Sequence, residues 1–168
     1  KGDRISGFIP NIPEAIIAML ASASIGAIWS SSSPDFGIKG VLDRFSQIEP
    51  KIIFAANGYI YNGKTFDSLE KLREILANLP SVEKVVVIGY TEEDPDISQI
   101  ENAILYSDFT SMSPSALKFE QLPFDHPLYI LYSSGTTGLP KSIVHSGGGT
   151  LIQHMKELQL HCDLVRED

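Results

Sequence analysis

The sequence predicts an α/β fold: a doubly wound, mainly parallel sheet. Two observations carry this reading. Between Arg4 and Ile88 short apolar runs alternate with segments of helical periodicity. The helical segments are long enough to return the chain for parallel pairing through right-handed crossovers. Size allows one such domain, since 168 residues with 43% apolar side chains can build a core but are too few for a typical two-domain enzyme. On sheets of this kind ligands gather beyond the carboxyl ends of the strands.

Taken in order, Arg4 to Ile9 is a short strand. Asn11-Ile12-Pro13-Glu14 then reads as a helix start, with Asn11 as cap, an early proline and a capping-box glutamate. Ile16, Met19, Leu20 and Ala23 form the expected buried stripe, and Gly26 ends the helix. Ala27 to Ser30 is a second strand, running into the polar segment Ser31 to Asp35. Ile38, Val41, Leu42 and Phe45 mark a second helix that must end before Pro50. Lys51 to Ala56 is a third strand, and Asn57 to Lys64 reads as an aromatic and polar loop. Asp67 and Glu70 resemble a capping box for a third helix striped with Phe66, Leu69, Leu72, Ile75, Leu76 and Leu79, and Val82 to Ile88 is a fourth strand.

This divides the chain into βα repeats over 1–89, an irregular connection over 90–125 and a strand, loop, strand and helix over 126–168. The acidic, proline-broken stretch Glu92 to Asp96 reads as a solvated surface loop in preference to a metal site. Leu128 to Tyr132 is apolar enough for a strand covered on both faces, and Leu151, Ile152, Met155 and Leu158 give the last helix an apolar face.

Between those two elements lies Ser133-Ser134-Gly135-Thr136-Thr137-Gly138, four hydroxyls and two glycines, followed by Pro140-Lys141. Such a loop can aim backbone N–H groups and hydroxyls at an anion, with Lys141 adding charge. It is not the common helix-capped phosphate loop. Counting from Gly135, Pro140 stands where the second glycine is required, and the residues after Lys141 read as a strand. A serine-hydrolase elbow around Ser146 fails because Val144 replaces the needed glycine. Cys162 beside His161 lacks further ligands at metal spacing. A plain hairpin turn needs neither a lysine nor four hydroxyls.

Ser133 through Lys141 match every specified position of [ST]-[ST]-G-[ST]-[ST]-G-x-P-K, the phosphate-loop pattern of the adenylate-forming enzymes, and the chain resembles that superfamily. Gly26 to Gly37, Val41 to Phe54 and Ile143 to Leu164 are similar to the acetoacetate-activating branch of its acyl-CoA synthetases, near the acetate-activating one. The resemblance implies that the chain is a fragment of the large N-terminal domain of an adenylate-forming enzyme. It implies an acid-thiol ligase that joins a short acyl acid to ATP and passes it to CoA. Ser133, Ser134, Gly135, Thr136, Thr137, Gly138 and Lys141 would hold the ATP phosphates, with Lys141 the catalytic cation unless it pairs with an acid. His145, Gly147 and Gly148 would line the nucleotide or acyl side. A packed histidine and a close helix start are the simpler readings of these three. By position, Ser33 and Lys64 fall in the CoA loops, although Pro34, Asp35 and Tyr61 depart from the relatives' glycines and arginines. The Mg²⁺ ligand, the ribose-binding aspartate and the C-terminal lysine of the superfamily would lie beyond Asp168, so this stretch alone is expected to be inactive. An acetate or other short- to medium-chain ligase, and a non-catalytic nucleotide-binding module, remain the alternatives.

Composition narrows the partners. Thirteen basic against twenty-one acidic residues give a net charge of −8, which argues against nucleic acid and anionic membranes as partners; the resemblance implies small-molecule substrates, namely ATP, a short acyl acid and CoA. No apolar run reaches the length of a membrane span. A single cysteine and no signal-peptide core at Lys1-Gly2-Asp3-Arg4 fit a cytoplasmic location. A start without methionine and a tail at Val165 to Asp168 without a closing element read as an excerpt of a longer protein.

Overall fold

The computed structural model describes residues 1–110, 116–134 and 138–168. In chain order the elements are β1 (Arg4–Phe8), α1 (Pro13–Ser24), β2 (Ile28–Ser32), α2 (Ile38–Ile48), β3 (Ile52–Ala56), β4 (Gly58–Tyr61), β5 (Lys64–Asp67) and α3 (Leu69–Leu76). They continue with β6 (Lys84–Ile88), β7 (Ala103–Leu105), α4 (Tyr106–Thr110), β8 (Pro127–Ser133), β9 (Lys141–Ser146) and α5 (Gly147–Lys156), which runs into a π-helical turn at Glu157–His161. The main sheet has the order β7-β6-β3-β1-β2-β8-β9. Its pairs are parallel from β7 through β8, and β9 closes the edge antiparallel to β8.

The helices lie on both faces, as a doubly wound sheet requires. Val41 and Phe45 of α2 and Leu72 and Ile75 of α3 pack with Phe8, Ile53, Val85 and Val87 on one face. Ala18 of α1 packs with Ile5, Trp29, Phe54, Val86 and Ile88 on the other. Alternate residues of each central strand therefore enter opposite layers, which is why these strands read as continuous apolar runs. Because α1 follows β1 on one face and α3 follows β3 on the other, the adjacent carboxyl ends of β1 and β3 form a topological switch point, with the end of β2 beside it. Arg4 ties this layer together at its other end, its guanidinium donating to the carbonyls of Ile48 (2.6 Å) and Glu49 (3.2 Å) at the end of α2.

Several local expectations are corrected. Asn11 does not cap α1; Ile12 takes that position without a side-chain bond, and Pro13 fills the first helical position, where no N–H is needed. The face of α1 that turns inward is also different. Ile16 and Leu20 are each 59% exposed, whereas Ala18 and Ser22 are buried. Small residues win there because the rings of Trp29 and Phe54, 6.3 Å apart, already fill that layer. The Ser22 hydroxyl satisfies itself on the carbonyl of Ala18 (2.7 Å).

The stretch read as an aromatic loop is the β4–β5 hairpin. Asn62 and Gly63, with φ of 48° and 71°, supply the two left-handed residues that a two-residue turn of this hand requires. Within the span read as irregular connection, β7 adds a parallel edge strand and α4 a short helix. In its acidic part, Asp96 accepts from the Ser98 N–H (2.9 Å), which holds its carboxyl below the usual range. Asp67 does serve α3, its carboxylate accepting from the N–H groups of Leu69 (3.0 Å) and Glu70 (3.4 Å). Finally, β8 is not covered on both faces. Ile130 is its buried residue and Leu131 is 49% exposed, because β9 and α5 pack beside the sheet and not over it.

Candidate functional site

The β8–β9 hairpin carries the hydroxyl-rich loop to the carboxyl edge of the parallel sheet. β8 runs parallel to β2, so its end at Ser133 emerges on the same side as the switch point between β1 and β3. Ser133, the last residue of β8, pairs across the hairpin with Lys141, the first of β9. This rung puts a hydroxyl residue and the lysine at the two feet of the loop. Ser134 is exposed, and Gly138 has a φ of 103°, a conformation that favours glycine. Gly135, Thr136 and Thr137, three of the expected phosphate ligands, lie outside the described residues. Lys141 is exposed and makes no ion pair among the described residues. The alternative of a lysine held by an acid therefore finds no partner there.

Contacts absent from the sequence reading hold the feet of the loop. Gln47 of α2 donates from its amide to the carbonyl of Pro140 (2.9 Å) and accepts from the hydroxyl of Ser142 (2.8 Å). The phenol of Tyr132 donates to the carbonyl of Arg44 (3.0 Å), and the Arg44 guanidinium lies 5.7 Å from that ring and 4.6 Å from the ring of Phe36. Burial pushes the Tyr132 phenol up, against smaller opposing effects of the Ser30 hydroxyl and the Arg44 charge.

Ser33 stands at the carboxyl end of β2, next to the switch point. It lines a cavity of about 270 Å³ with Pro10, Asn11, Ser32, Tyr59 and Tyr61, so the β4–β5 hairpin forms one wall. The buried hydroxyl of Ser32, which also lines the cavity, has no hydrogen-bond partner among the described residues. Lys64 does not line it. Exposed at the hairpin turn, it pairs with Tyr61, which does. Lys71 also stands against the wall, its ammonium donating to the Pro34 carbonyl (2.8 Å) and lying 5.6 Å from the ring of Tyr59.

His145 is not brought to the hydroxyl-rich loop. It is four residues along β9 from Lys141, roughly 13 Å at the strand rise of about 3.3 Å per residue. Its ring lies 5.2 Å from that of Tyr129, and it lines a separate cavity of about 400 Å³ with Ser146, Thr150, Gln153 and His154. The hydroxyl of Thr150 is also buried there without a partner among the described residues. Gly147 and Gly148 are explained by the helix start. Their N–H groups donate to the carbonyls of His126 (2.9 Å) and Phe124 (3.0 Å), and a Cβ on Gly148 would stand 2.2 Å from the Phe124 ring. Ser146 caps α5 by accepting from the N–H of Gly149 (3.2 Å).

Gln47, Lys71 and Tyr132 were invisible as site residues in the sequence. Each meets its partner through pairing of segments dozens of residues apart, and no local pattern encodes that. The Asn62-Gly63 turn, by contrast, carries a recognised hairpin signal.

Among the described residues no helix is long and apolar enough to cross a membrane, and no three His, Cys, Asp or Glu residues group as a metal site. Comparison with known proteins gives a consistent assignment. Residues 1–167 match the family described as AMP-binding enzyme. The chain is 56% identical over its whole length to acetoacetyl-CoA synthetase of Macaca fascicularis, of which it covers 26%. It is 51% identical over 97% of its length to acetoacetyl-coenzyme A synthetase of Rhizobium meliloti (strain 1021), covering 25% of that protein. The structure superimposes on acetoacetyl-CoA synthetase from Streptomyces lividans with a TM-score of 0.90 at 46% identity, covering 97% of this chain and 24% of that one. The chain thus spans about a quarter of the length of these relatives. A hydroxyl-rich loop at the carboxyl edge of a parallel sheet, and a family match from end to end, lead to one conclusion: the chain belongs to the AMP-binding enzyme family.

Proposed function

We propose that the full-length protein carrying this chain is an ATP-dependent acetoacetate–CoA ligase, and that this chain supplies its pyrophosphate-side binding loop. The observation that carries the proposal is the Ser133–Lys141 rung, which closes the hydroxyl loop beside the carboxyl end of β2, on the same edge of the sheet as the switch point. The acetoacetate assignment rests on the names of relatives sharing about half of their residues with this chain.

In the proposed reaction a carboxylate oxygen attacks the α-phosphorus of ATP and the bond to pyrophosphate breaks. The thiolate sulfur of CoA then attacks the acyl carbon and AMP leaves. The first step brings two anions together, so its barrier falls when charge on the departing pyrophosphate is met by fixed donors. Ser133, Ser134, Gly135, Thr136, Thr137 and Gly138 are assigned to the β- and γ-phosphates. Lys141, exposed and without an acid partner among the described residues, supplies the counter-charge. Ser33, with the unpartnered Ser32 hydroxyl beside it, is assigned to CoA, and Lys64 at the rim of the same hairpin to a CoA phosphate. His145, in the cavity with Tyr129, is assigned to the nucleotide or acyl side; Gly147 and Gly148 serve it by starting α5. Mg²⁺, when bound, would neutralise phosphate charge, and none of the described residues is assigned to hold it. A cytoplasmic location is proposed with this chemistry.

The test is pyrophosphate exchange into ATP by the full-length protein. Exchange should depend on acetoacetate and be slower with acetate, propionate or butyrate. Lys141→Ala should lower it about 10²-fold, the scale of losing one charge-stabilising donor. Undiminished exchange would remove that role for the lysine. No acid-dependent exchange at all would favour a non-catalytic nucleotide-binding module.

A further inference from the structure

The β8–β9 hairpin is attached to the rest of the sheet by a thin seam. Among the described residues, β8 has one registered pair with β2, Trp29 with Tyr129, supplemented by the Ser30 hydroxyl donating to the Ile130 carbonyl (2.9 Å). Beyond Ile130, toward the loop, the strand pairs only with β9, the exposed edge. A two-stranded ribbon extending past its sheet is marginal on its own and free to twist. The loop's position is therefore decided by whatever grips its feet.

That grip comes from the last turns of α2. Tyr132, one residue before the loop's first foot, donates to the Arg44 carbonyl. Pro140 and Ser142, on either side of Lys141, are both bonded to Gln47. The Gln47 amide thus uses its donor and its acceptor on the two residues that flank the lysine. Its other donor contact, to the Asp43 carbonyl, fixes the side chain against its own helix. A primary amide is suited to this, because a carboxylate could not donate to Pro140 and a hydrocarbon could do neither. The helix beneath is anchored in the core: Val41 and Phe45 are fully buried and Ile48 nearly so.

We propose that Gln47 is a positioning residue for ATP, a clamp from α2 that fixes the Pro140–Ser142 foot and with it the ammonium of Lys141. The inference rests on the ligase reading, since it specifies how the phosphate loop of that reading is held. Gln47 touches no substrate in this role; it acts through the loop.

The experiment uses the full-length protein and acetoacetate-dependent pyrophosphate exchange, with Gln47→Met and Ser142→Ala made singly and together. A neutral hydrogen bond corresponds to a factor of roughly two to ten in an equilibrium. Gln47→Met, which keeps the length and removes both bonds to the loop, should raise the KM for ATP about tenfold. Ser142→Ala should raise it about threefold, and the double variant should match Gln47→Met alone. The KM for acetoacetate and the melting temperature should stay near those of the unsubstituted protein. An unchanged KM for ATP, additive losses in the double variant, or a parallel rise in both KM values with a lowered melting temperature would each overturn the clamp. Ser142→Ala lies on an exposed strand, so it keeps the test open if Gln47→Met folds poorly. Exchange that is absent from the unsubstituted protein would overturn the ligase reading and the inference together. Exchange present with an unmoved KM overturns the inference alone.

Discussion

The two flanks of β1 and β2 are built on different terms. On the β3–β6 side, Phe45, Ile53, Leu72, Ile75 and Val85 are buried to within 1% between strands and helices. On the β8–β9 side, Ile143, Val144 and Leu151 are 44%, 57% and 62% exposed, though they are equally apolar. The first region is held by desolvated contact and the second by directed polar bonds: Ser30 to Ile130, Tyr132 to Arg44, Ser142 to Gln47. Apolar packing fixes a strand against its neighbours without regard to fine orientation. Hydrogen bonds at the feet of a loop set orientation while contributing little stability. The hydroxyl-rich loop stands in the second region, where directed bonds at its feet set its orientation.

The contrast predicts unequal costs for like substitutions. Phe45→Ala should lower the unfolding free energy by about 3 to 5 kcal/mol, the range for emptying an aromatic site in a core. Ile143→Ala should cost at most about 0.5 kcal/mol, as expected for a solvent-facing position. Urea denaturation of the two variants reads both values, and comparable losses would break the distinction. A smaller gap is expected between two glycines. A Cβ on Gly7 would meet the Trp29 ring at 2.8 Å and the Ile9 side chain at 2.9 Å, all within the buried layer. Gly7→Ala should therefore cost about 2 to 3 kcal/mol by overpacking. Gly148→Ala collides more closely, with the Phe124 ring at 2.2 Å, yet that ring is 63% exposed and can swing away, so about 1 kcal/mol is expected. Equal melting-temperature shifts for the pair would show that the α5 start is as rigid as the core.

The smallest effect sharpens the comparison through pH. Burial raises the Tyr132 phenol above its free value of about 10. A raised folded value means that the stabilisation is complete below the unfolded value and is lost as pH rises through the folded one. Ionisation also removes the proton that bonds to the Arg44 carbonyl. Stability should thus decline above about pH 10. Tyr132→Phe should cost about 1 kcal/mol at neutral pH and flatten that alkaline decline. An identical alkaline limb in both proteins would detach Tyr132 from the loop's support.

Much of the arrangement was legible in the residues. The alternation of β and α, the ends of α2 at Pro50 and of α1 at Gly26, and the Asp67 cap of α3 follow from periodicity and short-range steric rules, so local sequence suffices. The loop at Ser133 to Lys141 was legible for the same reason: its chemistry lies in consecutive residues. The α1 face was misread because periodicity reports that a stripe exists and not which of two apolar stripes fits against Trp29 and Phe54. The exposure of β8 depends on which elements pair, whereas the separation of His145 from Lys141 follows from their spacing along one strand.

The sequence by itself determined that this chain winds strands and helices around a parallel sheet and carries a hydroxyl-rich, lysine-bearing loop of the adenylate-forming kind. The tertiary structure decided where that loop stands and what holds it. Ser133 and Lys141 became partners because β8 and β9 pair, and Gln47 reached Pro140 across 93 residues because α2 lies on the face beneath them. Chemistry carried by neighbouring residues is written in their order, whereas a contact between distant segments exists only once the sheet has chosen its strand order.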